Sequence, residues 1–136
     1  MRYMLDTNIL IYLMKHKPAS VAQRVRSLPA TDGLCMSIIT WAELLKGVAG
    51  SSKPPQETRA KLDALAQVVP VLYITQPSVA EHYAAQFQRL KAAGTPIGGN
   101  DLWIACHALS EGCTLVTNNL REFVRIEGLP LKNWAA

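Results

Sequence analysis

Residues 3–10 read Tyr3-Met4-Leu5-Asp6-Thr7-Asn8-Ile9-Leu10. A short apolar run stops at an acid, and helical spacing begins just after it. Such a run predicts a buried strand. The helix that follows, Asn8 to Lys15, takes Thr7 or Asn8 as its cap. Working outward, the chain repeats this unit. Leu34–Ile38 is a second strand, with a helix from about Thr40 to Val48 after it. Val71–Ile74 is a third strand, followed by a long helix, Ser78 to Ala93, that ends at Gly94 with Pro96 beyond. Gly99 to Glu111 is a further helix, which Asn100 can cap and Gly112 stops. Thr114–Thr117 is a fourth strand, Leu120–Arg125 a short helix, and Leu131–Lys132 a last edge strand. Two more helical stretches fill the gaps. One opens at Pro18 with Val21, Val25 and Leu28 spaced four and three apart; the other runs from Pro55 to Val68 with Leu62, Leu65 and Val69 on one face. Gly50–Pro55 is the one loop-like soft spot.

Strands separated by helices imply parallel pairing through right-handed crossovers. The expected fold class is α/β, a three-layer α/β/α domain with a central parallel sheet. In such sheets, ligands bind beyond the carboxyl ends of the strands.

Composition narrows the class. The chain has 136 residues, 49% of them hydrophobic and 18% charged. This predicts a single domain, residues 1–136, with a core of its own. No apolar run approaches the ~18 residues of a spanning helix, and Asp6 breaks the first one too early for a signal peptide. Cys35, Cys106 and Cys113 are odd in number and lack a Cys-x-x-Cys pair, which excludes a disulfide framework and a thiolate zinc site. A cytoplasmic location fits these thiols. The formal charge of +4 permits an anionic partner without naming one.

Four of the ten acids fall where a parallel sheet would gather them. Asp6 closes the first strand, Glu43 lies early in the helix after the second, Asp101 starts the helix leading to the fourth, and Glu122 follows the fourth. Each alone has an ordinary explanation: a cap for Asp6, a solvated partner of Lys46 for Glu43, an exposed charge pattern for Glu122. Together they pose an electrostatic problem. Two carboxylates about 4 Å apart repel by about 4 kcal/mol at an effective dielectric near ~20. A hard divalent cation, Mg2+ or Mn2+, removes the conflict, since both favour oxygen ligands and keep several waters. Helix N-termini add partial positive charge beside the ionised acids. Such a centre suits a phosphodiester substrate.

LDTNIL at residues 5–10, TWAELLKG at 40–47, GGNDLWIACHAL at 98–109 and LVTNNLREF at 115–123 resemble, in order and spacing, the PIN-domain ribonucleases. Within them the match is closest to VapC-type toxins of bacterial toxin–antitoxin pairs, and it covers nearly the whole chain. The resemblance implies a Mg2+- or Mn2+-dependent endoribonuclease leaving a 5′-phosphate and a 3′-hydroxyl. It also implies a homodimer and a cognate antitoxin that blocks the site. A transfer RNA target is common among such toxins, but no residue here selects it. By resemblance the candidate catalytic residues are Asp6, Glu43, Asp101 and Glu122. Asp6 and Asp101 are the direct metal ligands, and Glu43 completes the cluster through a water. Thr7 and Thr117 hold the acids by hydrogen bonds, and Asn8 orders the first loop. Where many PIN domains carry a fourth acid this chain has Asn119, and Glu122 looks like its replacement. One firmly held ion is therefore expected, with a second only when substrate phosphate helps.

His107, six residues after Asp101, is off that acid's helix face and reads as a packed or half-exposed histidine. Lys15, Lys17, Lys46, Arg121 and Arg125 follow the acid-bearing segments and are candidates to grip RNA phosphates. Trp41, Trp103 and Trp134 are candidates to stack on bases, with core packing the better account of the first two. Two other classes compete. A phosphorelay receiver needs an acid at the end of its third strand, where Tyr73-Ile-Thr75 has none. A PIN-like module that binds RNA or a partner with little or no cutting would lack a central acid, and all three are present.

Overall fold

The computed structural model describes residues 1–136. Its strands are β1 (Arg2–Leu5), β2 (Gly33–Ser37), β3 (Val71–Leu72), β4 (Thr114–Val116) and β5 (Leu131–Lys132). The helices are α1 (Thr7–Lys15), α2 (Ala19–Ser27), α3 (Ile38–Ala49), α4 (Pro55–Val68), α5 (Ser78–Ala93), α6 (Gly99–Glu111) and the short α7 (Leu120–Phe123). The sheet order is β3-β2-β1-β4-β5 and every pairing is parallel. The α/β class and the central parallel sheet expected from the sequence are both present.

Alternation along the strands divides the interior in two. Tyr3 and Leu5 of β1 face a core with Ile9, Leu10, Val21, Met36, Leu44, Leu62 and Val116. Met4, between them, faces the opposite core with Cys35, Val79, Leu90, Leu102, Leu115 and Phe123. Helices α1 to α4 close the first face and α5 to α7 the second. The Leu62–Leu65–Val69 stripe is spent on core burial rather than left as a surface.

The chain reverses its sheet order at β1, which has β2 on one side and β4 on the other. Such a switch point opens a crevice at the carboxyl ends of the two central strands. Helix starts crowd the same edge, because α1 and α3 begin within one residue of the strands they follow.

Two capping expectations need correction. Neither Thr7 nor Asn8 caps α1: Asp6 does, its Oδ1 accepting from the Ile9 amide at 3.1 Å. The acid is already extended at ψ 175°, so it is the natural cap and Thr7 becomes helical. Asn100 does not cap α6 either, since the helix starts one residue earlier behind Gly98.

Candidate active site: a carboxylate cleft at the switch point

The cleft of about 160 Å³ at the carboxyl edge is lined by Asp6, Thr7, Asn8, Glu43, Asp101, Asn119 and Phe123. Four separate segments meet there. Asp6 ends β1, Glu43 comes from the second turn of α3, Asp101 from the first turn of α6, and Asn119 from the turn after β4.

Each acid is held from behind. Asp6 is 7% exposed, and one carboxylate oxygen is spent on the α1 cap. Burial pushes its pKa up, while hydrogen bonds from the Thr117 hydroxyl and the Ile9 amide pull the other way. Thr117 is fully buried, and its Oγ1 accepts from the Asn119 amide at 2.9 Å. The turn after β4 is thereby tied to the end of β1. Glu43 is gripped by Thr7, whose hydroxyl donates to Oε1 at 2.7 Å. Its partner is therefore across the cleft, and no ion pair to Lys46 forms. Thr7 and Thr117 thus stand where hydroxyl supports were expected, each on a different acid. Asn8 lines the cleft from inside α1, so it has no loop to order.

Asp101 reports the crowding. Its pKa is pushed up to about 6, first by burial and then by the negative charges of Glu122, Glu43 and Asp6. Glu122 is outside the residues that line the cleft but within hydrogen-bonding reach of the Asp101 carboxyl, and Asn119 Nδ2 donates to its Oε2 at 3.1 Å. Asn119 brings no charge; its amide nitrogen is engaged by Glu122, and the residue lines the cleft. None of the four acids has a cationic partner within 4 Å.

The donor set is oxygen throughout, with no thiol or imidazole on the cleft wall. That chemistry suits a hard divalent cation rather than zinc or copper. The carboxylates do not already close, three together, on one coordination point. An ion that keeps several waters needs only one or two of them directly.

Other expectations sort by burial. Trp134 is buried edge-on against Tyr3, with centroids 5.0 Å apart, so it is no base-stacking platform. Trp103 stacks on Tyr83 at 4.0 Å, and Arg59 lies 5.7 Å over Trp41. Arg125 donates to the Pro96 carbonyl at 3.0 Å, away from the acids. Lys15 lies on the rim of a second groove that shares Thr7 and Glu43 with the cleft and has Ile11, Met14, Leu44 and Val48 on its floor. Lys53 lies on that rim too and was missed, because it falls in the loop before α4 and has no motif around it. Phe123 was also missed, although its place in LREF marks it as that helix's apolar residue. Cys35, Cys106 and Cys113 are free and buried, as core thiols should be. Cys35 and Cys113 nevertheless bring their sulfurs to 3.9 Å from opposite neighbours of β1, a proximity that sequence spacing hides.

With this geometry in hand, similarity to known proteins is informative. Residues 3–129 match the PIN domain family. The chain is 50% identical over 134 residues to ribonuclease VapC1 of Haemophilus influenzae, covering 98% of both. It is 38% identical over 135 residues, again 98% of both, to the tRNA(fMet)-specific endonuclease VapC of Salmonella typhimurium. Among solved structures, VapBC-1 from nontypeable Haemophilus influenzae superposes with a TM-score of 0.92 at 47% identity, covering all of both chains. VapBC2 from Rickettsia felis, bound to a DNA fragment from its promoter, gives 0.91 at 37% identity over 98% of this chain and 99% of that one. An all-parallel sheet with acids gathered at its switch point, matched end to end by these relatives, makes this chain a member of the PIN-domain family, in its VapC group.

Proposed function

We propose that the chain is a divalent-metal-dependent endoribonuclease, the toxin of a toxin–antitoxin pair, acting in the cytoplasm as a homodimer. The observation that carries the chemistry is the meeting of Asp6, Glu43 and Asp101 in one cleft with no cation to pair them. The relatives' names supply the class of substrate, RNA, and a transfer RNA as the first one to try.

Asp6 and Asp101 would hold Mg2+ or Mn2+ directly, with Glu43 acting through a water. A bound ion supplies Lewis-acid stabilisation of a phosphoryl oxygen and a water of lowered pKa. The chain's own residues do the rest. Thr7 orients the Glu43 carboxylate to receive a proton from an attacking water. Thr117 and the α1 cap fix the Asp6 carboxylate at the cleft. Glu122 beside Asp101 adds to the crowding of carboxylates that a cation would relieve. In-line attack by water needs no ribose hydroxyl; a 5′-phosphate and a 3′-hydroxyl are the products that the family resemblance implies.

The neighbouring apolar groove supports control by an antitoxin. It runs between α1, α3 and α4 and shares Thr7 and Glu43 with the cleft, so a peptide seated in it would cover the acids. The solved VapBC complexes are of proteins similar along the whole chain.

The test is cleavage of transfer RNA and of total RNA by purified protein, with Mn2+ or Mg2+ and with chelator. Metal-dependent cutting, lost in Asp101→Asn, is the expected result. RNA bound and left intact under every metal condition would replace the nuclease by a binding module.

A further inference from the structure

His107 is fully buried, six residues along α6 from Asp101, in the core rather than half-exposed as a helix histidine often is. Its Nδ1 lies 2.9 Å from Ser37 Oγ. That hydroxyl is itself fully buried and caps α3, accepting from the Ile39 amide at 3.1 Å. Helix α3 carries Glu43 and helix α6 carries Asp101. One hydrogen bond therefore ties the start of the helix bearing one acid to the body of the helix bearing the other.

The direction of the bond follows from the other partners of the two side chains. Ser37 Oγ already accepts from Ile39, and its own proton needs a buried acceptor. A neutral imidazole offers Nδ1, with the ring proton on Nε2, and the Tyr73 backbone is the ring's other hydrogen-bond partner. Burial favours that neutral form. A leucine of similar bulk would fill the core but leave the buried Ser37 proton without its acceptor.

We propose that His107 is a positioning residue: through Ser37 it sets where α3 sits against α6, and so the separation of the Glu43 and Asp101 carboxylates. The inference rests on the metal-nuclease reading above for its consequence, and on the Ser37 contact alone for its geometry. Glu43 is then held at two points. Thr7 grips its carboxylate and the Ser37–His107 bond anchors its helix. Groups bonded directly to metal ligands change affinity by about tenfold to 100-fold when lost; His107 acts one step further out, through the helix, so the lower end of that range is expected.

The test uses the full chain with His107→Leu and His107→Asn, at a temperature where thermal melts show each variant folded. Mn2+ affinity is measured by titration calorimetry, and cleavage is separated into kcat and KM. Imidazole nitrogen shifts are read by NMR in metal-free protein. His107→Leu should weaken Mn2+ by about tenfold and lower kcat with KM for RNA little changed. His107→Asn, whose amide reaches the Nδ1 position, should recover most of both. Wild type should show the proton on Nε2. Equal loss in Leu and Asn variants would mean a packing role only and overturn the proposal, as would wild-type affinity and kcat in folded His107→Leu. If His107→Leu does not fold, Ser37→Ala takes its place with the same expected loss. Wild-type protein that bound no Mn2+ would overturn the metal reading and this inference with it, whereas normal wild-type binding with unaffected variants overturns this inference alone.

Discussion

The two ends of the sheet treat charge in opposite ways. At the amino end, where the strands begin, acids are paired. The terminal amine of Met1 meets Asp32 at 3.0 Å, and Arg2 meets Glu111 at 2.9 Å while also donating to Cys113 Sγ at 3.3 Å. At the carboxyl end Asp6, Glu43, Asp101 and Glu122 converge with no cation among them. The same strands serve both ends, but β1 and β2 are more exposed where they begin than where they finish, so the amino-end pairs sit nearer solvent. Partly exposed pairs like those at the amino end contribute little to stability, about 0–1 kcal/mol each. Unpaired acids crowded together oppose folding, and a chain keeps them where a bound cation repays the repulsion.

The largest effect should come from breaking the crowd. Asp101→Asn should lower RNA cleavage by about 100-fold or more. It should also raise the metal-free Tm at pH 7.5, because it removes a charge its neighbours repel. A cleavage assay and a thermal melt on one preparation check both, and a lower Tm would contradict the repulsion. Next comes pH. Asp101 is raised to about 6 in the folded chain from an ordinary carboxylate value. The folded state therefore holds this proton more tightly than the unfolded one. Its ionisation opposes folding above about pH 6, and the opposition fades as pH falls through 6 towards 3.8. Cation affinity should run the other way, falling below about pH 6 as the proton competes, and Mn2+ titrations from pH 5 to 8 would show it.

Smaller effects sharpen the contrast. Mn2+ at about ten times its Kd should raise Tm by about 5 °C at pH 7.5, reversibly with chelator. In Asp101→Asn the rise should vanish. Glu122→Gln should weaken Mn2+ affinity or rate by a few-fold and let the Asp101 pKa fall, as carboxyl carbon NMR would record. No change in either would leave Glu122 as a solvated helix residue. At the amino end Arg2→Met should cost under about 1 kcal/mol in denaturant melts and leave cleavage unaltered.

Much of this was legible in the chain itself. Apolar runs of four residues punctuated by amphipathic helices dictate a parallel α/β sheet, and α4, α5 and α6 begin and end where Pro55, Gly94 and Gly112 say they should. Local chemistry also marks Asp6, Glu43 and Asp101, since an acid at a strand end or helix start is visible without coordinates. The capping error at Thr7 shows where that legibility stops. Asp6 reads as either a cap or a cleft acid, and the residue is in fact both.

What sequence determines, then, is whatever depends on neighbours along the chain: the periodicity of burial, the stops, and the residue types at junctions. Only the tertiary structure decides the contacts made across it. Thr7 grips Glu43 across 36 residues and His107 reaches Ser37 across 70. Cys35 and Cys113 meet around β1, and the amino-end charges find partners while the carboxyl-end ones do not. These depend on strand order and helix docking, which are settled by the packing of two cores against one sheet, and no short stretch of residues contains that information.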